Sequence, residues 1–127
     1  LIRRNKMEQK RHMAKASHDE EFWKVIESSH EKYMDWVVVS IFYSAMHFID
    51  AFFGKNRKHL KSHDMADREI SQSKDLIAIY DDYRALKDYR WKASYLATPF
   101  NQDEIDKDIA PHFVRIKSSV LKLLAKK

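Results

Sequence analysis

Apolar residues recur along the chain at steps of three and four, which predicts α-helices joined by short polar segments. The longest apolar segment, from about Tyr33 to Phe53, carries hydrophobic residues around nearly its whole circumference. Such a segment is typical of the most buried helix of a fold. Gly54, the only glycine, follows at the position where helices commonly end. We therefore expect this helix to end there and to form the centre of the protein.

The other helices are predicted from capping residues and apolar stripes. They run from about Asp19 to His30, from Asp64 to Ile70, from Lys74 to Ala97 and from about Asn101 onward. Their predicted N-caps are Ser17 with Glu20 as its capping-box partner, Ser62, and Asn101 with Glu104 as its partner. Pro111 interrupts the last stripe, so a kink or restart is expected there. Four principal helices plus a short one predict an all-α, up-and-down bundle.

The composition agrees with this class, because 127 residues include one Gly, two Pro and no Cys. Tight β-turns usually need Gly or Pro, and a chain without Cys forms no disulfides. The lack of Cys fits a reducing cytosol, so we expect a cytoplasmic protein. No uninterrupted apolar run approaches the roughly 18 residues of a membrane span, and the N-terminus lacks the apolar region of a secretory signal. We expect no membrane association.

The net charge of +5 is concentrated at the N-terminus. Residues 1–15 hold six basic side chains and one acidic one, and the rest of the chain is neutral. We divide the chain into a basic tail, residues 1–16, and a single helical bundle domain, residues 17–127. The tail either contacts phosphate or is a solvated leader. The neutrality of the bundle favours a protein-interaction function, because phosphate binding usually leaves a basic footprint.

Polar residues interrupt two apolar faces. On the central helix they form one stripe, which consists of Ser40, Ser44, His47 and Asp50. On the helix from Lys74 to Ala97, Arg90 occupies an apolar position. A charge facing a bundle core is costly unless it is paired, so we expect Arg90 to face the stripe, with Asp50 or a hydroxyl as its partner. The result is either a buried polar network that fixes helix register or a ligand-binding cleft that includes Tyr83, Lys87, Ser94 and Tyr95.

The histidines allow few chemical roles. His59 and His63 lie four residues apart, near Asp64 and Asp67, but an N-cap at Ser62 would leave His59 outside the helix. We therefore expect no metal and no cofactor. His47 is either a satisfied core histidine or a base. Without a Gly-rich phosphate loop, a serine nucleophile elbow or an HExxH motif, the classical hydrolase and nucleotide-binding folds are excluded. The three tryptophans, Trp23, Trp36 and Trp91, are expected in the core.

Several segments together resemble a branch of the HEPN superfamily (higher eukaryotes and prokaryotes nucleotide-binding domain). They are His18, Asp35-Trp36, the segment FYSAMHFIDA at 42–51, His63 with Arg68, Tyr83–Leu86, Arg90 and Tyr95. The resemblance covers roughly residues 17–120. It implies a bundle of four or five helices, usually a homodimer. It also implies RNA binding or RNA cleavage, often in a toxin–antitoxin or defence system.

Active nucleases of this superfamily use an Arg followed after four to six residues by a His, from both protomers. Arg57 and His63 match that spacing in a loop region, whereas Arg90 is better placed but has Tyr95 where the His belongs. The resemblance implies a metal-independent reaction in which Arg90 stabilises phosphate and His47 or His63 moves the proton. The implied ligand contacts are Tyr43, Ser44, Asp50, Arg68, Tyr83 and Lys87.

The alternative is a non-catalytic interaction module in which Arg90 and Asp50 form a structural pair. Its partner would be a protein, such as a nucleotidyltransferase-type antitoxin.

Overall fold

The computed structural model describes residues 2–29, 31–55, 60, 62–96 and 98–126, and every regular element in these ranges is helical. The α-helices are α1 (Ile2–Ser29), α2 (Met34–Lys55), α3 (His63–Gln72), α4 (Tyr80–Tyr95), α5 (Gln102–Glu104) and α6 (Ala110–Ala125). Short 3-10 turns precede α2 (Glu31–Tyr33) and α4 (Ile77–Ile79), and a π-helical turn (Ile105–Ile109) joins α5 to α6. The predicted all-α class is confirmed.

Helix α2 lies at the centre, in contact with α1, α4 and α6. Its side chains at Val37, Ile41, Ile49 and Ala51 are completely buried. Helix α1 runs antiparallel to α2, because Ser44 contacts Ala16 while His47, further along α2, contacts the earlier His12. Helix α4 is antiparallel to α2 as well, because Met34 lies near Ala93 and Phe42 lies near the earlier Tyr83. The result is the predicted up-and-down arrangement, in which α2 contributes more buried hydrophobic residues than any other described helix.

By length and composition alone, α2 could cross a membrane. Within the described fold, 72% of its most apolar window is buried among the other helices. The sequence prediction missed this helix as a candidate span because polar residues interrupt its apolar run. The apolar character of α2 is accounted for by its central position.

Helix α1 differs from its prediction. It runs unbroken from Ile2 to Ser29, so the predicted start at Asp19 with Ser17 as N-cap is wrong. The predicted boundary at residue 16 lies inside this helix, where Ala16 is completely buried. Glu20 does not complete a capping box, because its carboxylate binds Lys117 Nζ of α6 at 2.7 Å. The upstream half of α1 was missed because its inward face carries polar residues whose partners are distant in sequence.

The end of α2 also differs from its prediction. Gly54 lies inside the helix and is buried, so its assignment as the residue after the helix is wrong. A Cβ at Gly54 would lie 3.9 Å from the backbone nitrogen of Gln9, which shows how closely α1 approaches here. The next residue, Lys55, donates from Nζ to the carbonyl oxygens of Leu123, Leu124 and Lys126 at 3.3, 3.2 and 2.8 Å. A lysine at the carbonyl end of a helix stabilises otherwise unpaired acceptors, so Lys55 caps α6.

Two predicted caps and the predicted restart are confirmed. Ser62 Oγ accepts from Met65 N at 3.1 Å, and Asn101 Oδ1 accepts from Glu104 N at 2.8 Å. Pro111 lies in the first turn of α6, directly after the π-helical turn. Since proline lacks an N–H and its ring crowds the preceding turn, the widened turn relieves the clash. The helix predicted from Lys74 instead begins as α4 at Tyr80.

Candidate functional site

The side chain of Arg90 lies among aromatic rings. Its guanidinium carbon is 5.9 Å from the ring centre of Phe42, 5.5 Å from that of Tyr43 and 5.9 Å from that of Tyr95. Its Nη2 donates to the hydroxyl of Tyr43 at 2.8 Å. These contacts are cation–π interactions plus one hydrogen bond to a neutral oxygen. Within the described part of the chain, no carboxylate lies within ion-pair distance of Arg90, and its buried Nε has no hydrogen-bond partner.

Exposed rings continue this surface. Trp91 is 49% exposed and Tyr95 is 65% exposed, and their ring centres lie 6.0 Å apart. We name Tyr43, Arg90, Trp91 and Tyr95 the arginine–aromatic surface. It borders an open cleft of about 260 Å³ whose lining consists of Arg84, Lys87, Asp88, Arg90 and Trp91. A cation surrounded by accessible rings can contact both a phosphate and the face of a base.

The other cations of the cleft are held in different ways. Arg84 Nη1 donates to the hydroxyl of Tyr80 at 3.2 Å. Because this hydroxyl is neutral, the contact does not compensate the positive charge of Arg84. Lys87 Nζ donates to Asp67 at 2.7 Å, and the Tyr83 hydroxyl donates to the other oxygen of the same carboxylate. Tyr83 and Lys87, both predicted ligand contacts, are thus engaged in tying α4 to α3.

The Asp67 network has electrostatic consequences. Burial acts to raise the pKa of Asp67, but the hydrogen bonds from Lys87 and Tyr83 outweigh it, so this pKa lies below its usual value. Burial, followed by the hydrogen bond to the Asp67 carboxylate, raises the pKa of Tyr83. Tyr83 therefore stays protonated and serves as a donor.

Three residues of the polar stripe of α2, Ser44, His47 and Asp50, face α1 and not Arg90. Ser44 Oγ donates to the carbonyl oxygen of Ala16 at 2.7 Å, and His47 Nδ1 lies 3.1 Å from His12 Nδ1. Asp50 Oδ2 lies 3.9 Å from each of these two histidine nitrogens. The predicted Arg90–Asp50 pair is therefore wrong, and the hydroxyl that binds Arg90 belongs to Tyr43, outside the stripe. The reason is the upstream half of α1, which covers this face of α2.

His47 is shielded from water on the α1 side. Burial lowers the pKa of His47, and the neighbouring His12 lowers it further. No described contact joins His47 to Arg90. The structure thus brings Tyr43 and Tyr95 to Arg90 and places His47 with His12 and Asp50, so the predicted catalytic residues do not form one cluster in the described part of a single chain.

The remaining predicted residues have mixed outcomes. Arg68 is exposed on α3, the side chain of His63 lies outside the described residues, and so do Arg57 and His59. Trp23 is buried, as expected. Trp36 and Trp91 are 59% and 49% exposed, so their assignment to the core is wrong. Each lies on the outward side of a helix whose opposite side faces the core.

The sequence did not predict two polar contacts between helices, that of His12 with His47 and that of Asp82 with His112 and Arg115. His12 lies on the inward face of α1, four residues before the buried Ala16, a spacing that indicates a continuing helix. Asp82 is buried and accepts from His112 Nδ1 at 2.8 Å and Arg115 Nε at 2.7 Å, joining α4 to α6. Neither pairing follows from local sequence, because the partners come from different helices.

No family model, no curated protein and no solved structure matches this chain. The resemblance to the HEPN superfamily therefore stays a prediction.

Proposed function

We propose that the protein binds single-stranded RNA through the arginine–aromatic surface. The observation that carries this proposal is the environment of Arg90, whose guanidinium packs against three rings and has no carboxylate partner among the described residues. An arginine that is already ion-paired with a carboxylate of its own chain attracts an external phosphate less strongly. The hydrogen bond to the hydroxyl of Tyr43 holds the guanidinium of Arg90 beside the exposed rings.

The exposed rings support the same function. Single-stranded nucleic acids bind where bases stack on aromatic side chains beside cations that contact the backbone. Trp91 and Tyr95 supply accessible ring faces, and Arg84 supplies a second cation whose described partner is neutral. The resemblance to the HEPN superfamily favours RNA over DNA as the ligand, and we propose a function in a toxin–antitoxin or defence system on the same ground.

The test is fluorescence anisotropy with a labelled, unstructured single-stranded RNA at about 50 and 200 mM salt, the range over which phosphate contacts weaken measurably. Arg90→Ala and Tyr95→Ala are each expected to weaken binding roughly tenfold, because stacking contributes about 1–3 kcal/mol per base. Lys107→Ala is the matched control, since it removes one exposed positive charge from the π-helical turn. Its binding should stay within about twofold of the wild type.

The basic segment of α1 needs its own control. Deleting it would remove His12 and Ala16 from the α1–α2 contact, so Lys10→Glu with Arg11→Glu is the better change, because both side chains are exposed. Binding that survives this reversal but fails in Arg90→Ala supports the proposal. Binding lost in the reversal and retained in Arg90→Ala assigns RNA contact to α1 and overturns it.

The same RNA, end-labelled and analysed after incubation, tests cleavage. A product with a 2′,3′-cyclic phosphate that disappears in Arg90→Ala would indicate attack by the ribose 2′-hydroxyl, with Arg90 stabilising the phosphate. Binding without a product would identify a binding module.

A second candidate is a protein interface, favoured by the exposure of Trp36, Trp91, Tyr95 and Leu96. Aromatic residues and arginine are enriched where proteins bind one another. We propose that the first partner to test is a second copy of the chain, in a homodimer. Light scattering coupled to size exclusion should show a dimer in the wild type and a monomer in Trp91→Ser, whereas a wild-type monomer at all concentrations would reject the homodimer.

A further inference from the structure

The α1–α2 contact contains a cluster that the RNA-binding proposal does not use. It consists of His12 from α1 with His47 and Asp50 from α2. His47 and Asp50 are three residues apart and therefore share one face of their helix. The three side chains are 30%, 25% and 22% exposed, so they are held in place but accessible to a small ion.

The ligand atoms converge. His12 Nδ1 and His47 Nδ1 are 3.1 Å apart, and each is 3.9 Å from Asp50 Oδ2. For a triangle with these sides, the point equidistant from the corners lies about 2.1 Å from each, and zinc–nitrogen and zinc–oxygen bonds measure about 2.0–2.2 Å. A zinc ion at that point would lie in the plane of the three atoms. A small movement of Asp50 Oδ2 toward the two nitrogens would lift the ion out of that plane and give the tetrahedral geometry of zinc sites.

Charge and rigidity favour the same ion. Two imidazoles and one carboxylate present borderline-soft nitrogen and hard oxygen donors, a set that suits Zn²⁺. Helix α2 is fixed by the completely buried Ile49 and Ala51 on either side of Asp50. Helix α1 is fixed one turn beyond His12 by the hydrogen bond from Ser44 to Ala16. Both elements therefore hold their ligands without needing the ion to organise them.

We propose that His12, His47 and Asp50 form a three-ligand Zn²⁺ site that fastens the basic N-terminal half of α1 to α2. Three protein ligands leave one coordination position for water or another small ligand. The site is separate from the arginine–aromatic surface and would function whether or not the chain binds RNA.

The test uses the full chain, treated with a chelator, dialysed and titrated with Zn²⁺ by calorimetry. One zinc ion per chain is expected in the wild type. His12→Ala and Asp50→Asn should each weaken binding at least about tenfold, since even the outer partners of metal ligands contribute that much. His18→Ala is the matched control: it removes an exposed histidine of the same helix, beside Asp19, and should bind zinc like the wild type.

Two further readouts keep the result decisive. Co²⁺ should replace Zn²⁺ and give a visible absorption spectrum in the wild type that Asp50→Asn changes. Circular dichroism establishes that the variants are folded, and Asp50→Asn preserves the size of the side chain. A folded wild type that binds no zinc, or zinc binding that is equal in His12→Ala and the wild type, would overturn the proposal and leave only a hydrogen bond between the two histidines.

Discussion

Toward α1, helix α2 presents Ser44, His47 and Asp50, and toward α4 it presents Phe42 and Tyr43. The first face gathers polar groups that bond to one another or to the α1 backbone. The second face surrounds the cation Arg90 with rings and one hydroxyl. One helix thus supports two polar environments with different chemistry.

This difference indicates which kind of ligand each face of α2 could bind. On the α1 face, donors and acceptors are matched inside the fold, so an added ligand there must be a small ion that fits between them. On the α4 face, positive charge remains available at the surface. A large anion with flat bases fits the second environment, and a metal ion fits the first.

Replacing Phe42 by Ala should have the largest effect. Phe42 is 1% exposed, so the cavity left in the core should lower the free energy of unfolding by about 3–5 kcal/mol. Tyr43→Ala should cost about 1 kcal/mol or less, because its ring is partly in water already. Urea denaturation followed by circular dichroism measures both, and equal losses would mean that the Tyr43 side of α2 is structural rather than available to a ligand.

Lys117→Met tests how α1 is held at its other end. Burial acts to raise the pKa of Glu20, but the hydrogen bonds from Lys117 and Lys24 outweigh it, so this pKa lies below its usual value. The pair therefore stabilises the fold above the unfolded pKa of Glu20, and that contribution is lost as the pH falls through the folded pKa.

At neutral pH, Lys117→Met should be destabilised by about 1–3 kcal/mol, since it leaves a buried acceptor with one partner fewer. Once the pH lies below the folded pKa of Glu20, the stabilities of variant and wild type should converge, because Glu20 is then protonated in both states. Thermal unfolding measured from pH 7 to pH 3 checks this. A difference that does not change with pH would indicate that the lost cation–π contact between Lys117 Nζ and the ring of Phe48 is responsible.

Ser44→Ala removes the hydrogen bond to the Ala16 carbonyl. The expected loss is about 1 kcal/mol of unfolding free energy, the usual net value of one such bond. Hydrogen exchange of the α1 amides should accelerate more than that of the α4 amides, because the bond secures α1. Unchanged hydrogen exchange in α1 would show that the Ser44–Ala16 hydrogen bond does not hold α1 against α2.

Gly54→Ala should stabilise the protein slightly. Glycine inside a helix costs roughly 0.5–1 kcal/mol relative to alanine, and the new Cβ would meet Gln9 N at an ordinary contact distance of 3.9 Å. A rise in the midpoint of thermal unfolding is expected. Gly54→Val is the control, since its larger side chain must displace α1, and a loss already in Gly54→Ala would show a tighter α1–α2 contact than this distance indicates.

Helix type and several helix ends were predictable from the sequence because they depend on local residues. Ser62 and Asn101 cap helices through bonds to residues three positions away, and Pro111 acts on the turn directly before it. The start of α1 was not predictable in this way. Its inward face holds His12 and Glu20, whose partners lie on α2 and α6, so the apolar pattern stops before the helix does.

Only part of the candidate site could be picked out from the sequence: Tyr43, Arg90 and Tyr95 were singled out, whereas Trp91 was assigned to the core, and the arrangement of these residues was not predictable. Arg90 was recognised because a charge interrupted an apolar stripe. Its partner depended on which helix covers which face of α2, and that choice is made by long-range packing. The assignment of Trp36 and Trp91 to the core failed for the same physical reason, because hydrophobicity alone does not specify whether a large ring is covered.

The π-helical turn before α6 predicts where a one-residue gap would fall in an alignment of related chains. Ile105, Ile109 and Phe113 are all buried, and each is four residues after the one before. In an α-helix, residues spaced by four lie about 40° apart around the axis, so Ile105 and Phe113 would differ in direction by about 80°. The wider turn absorbs this difference, so it is equivalent to one residue inserted into an ordinary helix. Homologues that differ in length by one residue are therefore expected to place their gap between Ile105 and Ile109, with the inward face of α6 unchanged.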